Sequence, residues 1–208
     1  SHALCTMEYE GPSWRGTLFP DYKKNRRPMP DELRSALGQI LSRFLAQGVG
    51  TVSVPGFEAD DLIASIAQKV TEAGGRATVL STDKSFCQLI SNSVSVYDHF
   101  AAQDRDREYV RQRFGVEPER LAELFALAGD SSLDIPGARG IGLRTAAQLL
   151  DDYGDLESIL AAGREISGGR GRKIQDAKEA VMLAQSLVTL RSDIKVVANL
   201  NKFRFSVK

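Results

Sequence analysis

The sequence predicts an α/β fold: a mostly parallel sheet flanked by helices over residues 1–107, followed by a helical subdomain over 108–208. Three observations carry that prediction. Short apolar strands alternate with amphipathic helices through the first half of the 208 residues, the pattern of buried parallel strands joined by crossover helices. Beyond residue 108 helical segments follow one another, with no strand signal before 194–198. Between two of those segments lies a glycine–apolar–glycine turn at Gly140-Ile141-Gly142.

Residues 3–8 read as a short buried strand. Residues 9–29 contain Gly11, Pro12, Gly16, Pro20 and Pro28 together with the basic run Lys23, Lys24, Arg26 and Arg27. That composition predicts a mobile, solvent-facing loop whose only anchors are Trp14, Leu18, Phe19 and Tyr22. A helix is expected from 30–32 to Ala46, with Leu33, Leu37, Ile40, Leu41, Phe44 and Leu45 on one face and Gly48 ending it. A strand at 51–54 breaks at Pro55-Gly56. A helix at 58–73 follows, apolar at Leu62, Ile63, Ile66, Ala67 and Val70. Then come a strand at 77–80, a short helix at 84–90 and a strand at 94–98. The second half is expected to hold helices at 108–113, 117–128, 142–152, 155–161 and 172–188.

Composition excludes several classes. Hydrophobic residues make up 42% and charged residues 26%, as in soluble globular proteins. No apolar run approaches the roughly 18 residues that span a bilayer, and no secretory signal is visible. Two cysteines, Cys5 and Cys87, make a disulfide framework untenable, and with His2 and His99 they have no zinc-site spacing. A reducing, cytoplasmic setting is expected. The net charge is zero, with 27 basic and 27 acidic residues, which argues against a non-specific DNA coat. It leaves room for a nuclease, where carboxylates bind metal and Lys and Arg meet phosphate. Acids cluster at 58–61 and bases at 23–27 and 170–173.

The sharpest chemical signal is Gly56-Phe57-Glu58-Ala59-Asp60-Asp61, placed after a strand and opening a helix. Acids in a first helical turn also serve the helix dipole, and that reading covers one or two of them. Three in four residues repel one another unless a cation neutralises them, and hard divalent cations prefer carboxylate oxygens. Asp83, in Ser81-Thr82-Asp83-Lys84, follows the next strand. Ligands of open parallel sheets gather beyond the strands' carboxyl ends, so Glu58, Asp60, Asp61 and Asp83 are expected to converge, with Glu8 able to join. The absence of His and Cys there favours Mg²⁺ or Mn²⁺ over zinc. The Gly140–Gly142 turn, preceded by Pro136-Gly137, would let backbone N–H groups approach a phosphate at a helix N-terminus. A plain interhelical turn is the alternative.

Gly-Phe-Glu-Ala-Asp-Asp, Ser-Thr-Asp-Lys and Leu-Ala-Gly-Asp-Ser-Ser-Leu-Asp-Ile-Pro-Gly followed by Gly-Ile-Gly stand in one order. That order resembles the bacterial 5′ nucleases, including the 5′–3′ exonuclease domain of DNA polymerase I, and most of all the free-standing exonuclease IX type. Tyr22-Lys23, Arg26-Arg27-Pro28 and Pro30 resemble the family segment that leads into a helical arch. The resemblance spans nearly the whole chain. It implies a PIN-like α/β core, a helix–three-turn–helix (helix–hairpin–helix) element at 135–147, two-metal phosphodiester hydrolysis and a preference for DNA 5′ flaps or frayed ends.

By that resemblance Glu58, Asp60, Asp61 and Asp83 match metal-site acids, with Glu8, Asp130 and Asp134 as further candidates. Lys23 and Arg26 match residues that contact the scissile phosphate. Tyr22, Arg27, Lys84, Gly137, Gly140, Gly142, Arg144 and Thr145 are candidate DNA contacts, and K⁺ is the ion that family hairpins hold through backbone oxygens. The expected partner is branched or frayed DNA, bound by a monomer away from membranes. Ser85 and Leu133 stand where relatives place metal-binding acids, so one metal position is expected to be weak. The family's first strand, with its metal-binding Asp, has no counterpart in the sequence. Two other readings remain open: a branched-DNA-binding protein with weak or lost hydrolysis, and an RNA-cleaving PIN-like nuclease, which would leave the hairpin without a role.

Overall fold

The computed structural model describes residues 2–196 and 203–205. Strand β1 (Leu4–Thr6) pairs in parallel with β2 (Gly50–Val52). Between them run α1 (Trp14–Leu18) and α2 (Asp31–Ala46). Helix α3 (Ala59–Glu72) crosses to β3 (Ala77–Leu80), which pairs in parallel with β4 (Val94–Asp98). A two-residue strand, β5 (Gln103–Asp104), closes an antiparallel hairpin on β4. Among the described residues the hydrogen-bonded ladders form two sheets, β1–β2 and β3–β4–β5, and α3 packs against a strand of each. The parallel pairing and flanking helices match the expectation; the described residues do not form a single continuous sheet.

Local sequence explains the helix ends. Asp106 caps α4 (Arg107–Phe114) by accepting from the Tyr109 N–H at 2.8 Å, and Gly115 ends it in the left-handed conformation. Asp155 caps α7 (Leu156–Ala162) in the same way through Ser158. A side-chain oxygen there satisfies a backbone donor that has no partner within the helix. Between α4 and α7 lie α5 (Leu121–Ala128) and α6 (Leu143–Tyr153). The helix expected over 172–188 is two helices, α8 (Arg170–Asp176) and α9 (Lys178–Val188), broken at Ala177. The expected strand 194–198 is not one within the described residues. Ile194 and Val196 instead pack on Leu62 outside any ladder, and residues 197 and 198 lie outside the described residues.

One apolar core runs from the sheet into the helices, joining Val79, Phe86 and Val96 to Leu121, Leu124, Leu127, Ile174 and Leu187. Helix α2 forms as its periodicity predicts but buries none of its residues, and Leu45 remains 69% exposed. The segment 9–29 departs most from expectation. It contains α1, and Arg15 within it is among the most buried side chains of the protein, at 2% exposure. Among the described residues no helix is long and apolar enough to cross a membrane, and Cys5 and Cys87 are both free.

The turn that leads from α5 to α6 depends on two glycines. Gly129 has φ +78°, and a Cβ on Gly137 would stand 2.2 Å from the Gly129 nitrogen and 2.5 Å from the Leu127 oxygen. The two backbone strands cross where no side chain fits. Gly137→Ala should therefore lower the unfolding free energy by about 3 kcal/mol, as other forced overpacking does. Urea denaturation monitored by circular dichroism measures it; an unchanged midpoint would show that the crossing relaxes freely.

Candidate functional site

A cavity of about 290 Å³ opens at the carboxyl ends of the parallel strands. Its walls include Glu8, Glu58, Asp60, Asp83 and Asp130, and against them Arg15, Lys23, Arg26 and Lys84. The structure thus brings together acids from four separate stretches of the sequence. Asp61 is not on that wall. It is fully buried, turned away beneath the cavity, and its oxygens are already taken.

The guanidinium of Arg15 donates to both Asp61 oxygens, at 2.7 and 2.8 Å, and to Glu58 Oε2 at 2.8 Å. Trp14 Nε1 donates to Asp61 Oδ2 at 2.8 Å, and the Arg191 N–H donates to Asp61 Oδ1 at 3.0 Å. The remaining donors of Arg15 reach the carbonyls of Leu187, at 2.7 Å, and Thr189, at 3.1 Å, at the end of α9. Asp61 thus stands with Arg15 and apart from the cavity wall that Glu58, Asp60 and Asp83 line, where the sequence led us to expect four converging acids. The physical reason is a cation that the loop composition concealed. Glu58 does line the cavity, but Arg15 and Tyr22 occupy its Oε2 and Lys23 its Oε1, the last at 2.9 Å. Burial, followed by the Glu58 charge, pushes the Tyr22 hydroxyl far above its usual range, so it serves as a donor.

Asp60 is in the opposite condition. Among the described residues no donor bonds its carboxylate, and it faces Asp83, Glu8 and Glu58 with Lys23 as the nearest offset. Burial, then the Asp83 charge, raises its pKa to about 6. Asp83 accepts from the Ser85 N–H at 2.8 Å as the cap of a 3₁₀ turn, and Glu8 accepts from the Ala59 N–H at 3.1 Å. These three acids present hard oxygen donors short of positive charge, the donor set that suits a magnesium-like ion. Among the described residues no three His, Cys, Asp or Glu side chains already stand close enough to hold an ion.

The other expected residues divide clearly. Asp134 (φ +55°) holds Asn25 with both oxygens, at 2.8 and 2.9 Å, so it fastens the 19–27 segment and does not face the cavity. The Lys23 N–H adds a bond to the Leu133 carbonyl at 2.9 Å. Arg26 is on the wall; Arg27 is exposed and off it. Gly137 packs against the backbone of residues 127–129, where a Cβ would not fit.

In the hairpin, Ile135, Ala138 and Ile141 are buried while Arg139, Gly140, Gly142 and Arg144 face solvent. Gly142 caps α6 without a side chain and has open space around it; Thr145 lies in the first turn behind it. Gly140 has φ +79°, and the Lys173 ammonium of α8 lies beside it. The basic stretch 170–173 carries no sequence signal that connects it to the hairpin; Trp14 reads only as an apolar anchor of its segment, and Arg15 gives no sequence signal at all.

Comparison with known proteins gives the family and the fold. A family model described as the 5′–3′ exonuclease N-terminal resolvase-like domain matches residues 1–115, and the C-terminal SAM-fold domain of the same enzymes matches 116–208. The chain is 40% identical over 210 aligned positions to the flap endonuclease Xni of Pectobacterium carotovorum, covering 100% of this chain and 81% of that one. Among solved structures it resembles a bacteriophage T5 5′-exonuclease with bound zinc (TM-score 0.79, 20% identity, 89% of this chain and 73% of that). It also resembles the T5 flap endonuclease in a pseudo-enzyme–product complex with DNA and metal ions (TM-score 0.76, 20% identity, 90% and 73%).

The raised Asp60 pKa has a measurable consequence. The folded chain keeps that proton up to about pH 6, whereas the unfolded chain loses it near the ordinary value of 3.8. Between those values the folded state binds more protons, so stability falls as pH rises and stays lower above pH 6. Asp60→Asn should be more stable than the wild type at pH 7.5 without divalent ions, with a smaller gain at pH 5. Urea midpoints at the two pH values check this; an equal gain at both would show that Asp60 titrates normally.

Proposed function

The chain belongs to the 5′–3′ exonuclease family and is a structure-specific 5′ nuclease, and we propose that it hydrolyses DNA at 5′ flaps or frayed ends with Mg²⁺ or Mn²⁺ held at the Asp60 side of the cavity. The observation that carries this reading is the under-neutralised pair Asp60 and Asp83 in one cavity with Lys23 and Arg26. Asp60, Asp83 and Glu8 are the residues that would hold the ion. Bound there, it would neutralise phosphate charge and lower the pKa of a water molecule.

The chain's own groups do the rest. Lys23 and Arg26 present cations to the phosphate oxygens, where fixed charges in a partly enclosed cavity act more strongly than in water. Tyr22 and Arg15 hold Glu58 in place, which leaves Lys23 anchored at the wall. At the hairpin, the open N-terminus of α6 with Gly140, Gly142, Arg139, Arg144 and Lys173 suits the backbone of duplex DNA, contacted through phosphates and without base readout. K⁺ bound by the hairpin carbonyls belongs to the same proposal. A second reading, branched-DNA binding with weak hydrolysis, is favoured by the ion pairs that already occupy Glu58 and Asp130.

Cleavage of a 5′-flap duplex, titrated with Mg²⁺ and Mn²⁺, separates the two. Metal-dependent release of the flap, lost in Asp60→Ala with binding retained, supports the nuclease; tight binding without cleavage at any metal concentration supports the alternative. Lys23→Ala should slow single-turnover cleavage by about 100-fold while changing affinity little. An equal effect on both would remove Lys23 from the chemistry.

Gly142→Val tests the hairpin. Its φ of −92° and open surroundings let the fold accept a side chain, so any loss belongs to the DNA interface. Binding to flap, nicked and intact duplexes should weaken alike, with single-stranded DNA unaffected. Unchanged duplex affinity would make the turn purely structural.

A further inference from the structure

The Asp130 side of the cavity carries a different chemistry from the Asp60 side. Asp130 is 7% exposed, and its oxygens are already satisfied. Oδ1 accepts from the Ser132 N–H at 3.0 Å and the Ser132 hydroxyl at 2.6 Å, and Oδ2 pairs with the Lys84 ammonium at 2.8 Å. Around that ammonium the wall is formed by Ser85, Ser132, Leu133 and the Phe125 ring, whose centre is 5.2 Å from Nζ. One neutralised carboxylate among hydroxyls and apolar groups is a poor donor set for a divalent cation, which needs several anionic or carbonyl oxygens. A divalent ion therefore fits the Asp60 side and does not fit this one.

What this side does hold is a fixed positive charge. The Lys84 side chain is 35% exposed, so an incoming anion can reach it. Of its three ammonium donors, one is committed to Asp130 and another lies 3.4 Å from Ser132 Oγ. We propose that the Lys84 ammonium is a built-in cation at the Asp130 side: it keeps a divalent ion out and meets the phosphate oxygens of DNA there in the ion's place.

Removing the ammonium leaves a buried carboxylate with no counter-charge, which is costly unless another cation replaces it. That replacement is what the variant should acquire. The inference rests on the proposed divalent-ion site at Asp60, and the test keeps the two apart.

Manganese binding to the full chain, followed by calorimetry and by the paramagnetic resonance of free Mn²⁺, should give a single ion on the wild type and on Lys84→Arg. K84M should take a second, weaker ion. Its flap cleavage, reduced at low Mn²⁺, should recover at high Mn²⁺ where the wild type shows no further gain. If K84M does not fold, Lys84→Gln serves the same purpose. Two ions on the wild type would overturn the proposal, as would a single ion on the charge-removed variant without recovery of its activity. No ion on the wild type would defeat the Asp60 reading and this inference with it.

Discussion

A guanidinium enclosed between two carboxylates fixes the positions of most groups around the cavity. Arg15, at the cavity wall, pairs with Glu58 and with the buried Asp61, and its remaining donors hold the carbonyls of Leu187 and Thr189. Burying these charges costs several kcal/mol per ion, and only full pairing with good geometry recovers it. One side chain therefore determines where α1, the start of α3 and the end of α9 must meet. Because α9 packs on α5, which leads into the hairpin turn, the hairpin half is tied to the acidic half through the same contact.

The electrostatic character of the cavity follows from how the cations are distributed. Arg15 and Lys23 neutralise the Glu58 and Asp61 region, and Lys84 neutralises Asp130. Among the described residues Asp60, Asp83 and Glu8 form no such ion pair. Repulsion concentrated at one edge lowers stability, and such a cluster beside Lys23 and Arg26 is characteristic of a functional site.

Much of this was legible in the sequence because it depends on local patterns. Strands β3 and β4 follow from apolar runs between turn residues, and α3 from its apolar face behind an acidic first turn. The order of the three motifs carried the family resemblance. The rest depends on long-range partners. Arg15 sits in a segment rich in Gly and Pro, where a charged residue reads as solvated; its partners lie 43 and 46 positions away at Glu58 and Asp61. The same limit hid Asn25 on Asp134 and Lys173 beside Gly140. For α2 the periodicity correctly gave a helix but said nothing about what its apolar face would meet. The acids at 58–61 were expected to share one ligand, whereas alternate directions along the helix start send Asp60 to the cavity and Asp61 to Arg15.

A double-mutant cycle on the buried pair tests the central claim most directly. Urea unfolding of the wild type, Arg15→Met, Asp61→Asn and the combined variant gives the energy by which the two side chains depend on each other. An interior guanidinium–carboxylate pair that organises the site should couple by about 3 kcal/mol. Effects that add to within about 0.5 kcal/mol would show two independent residues and contradict the account.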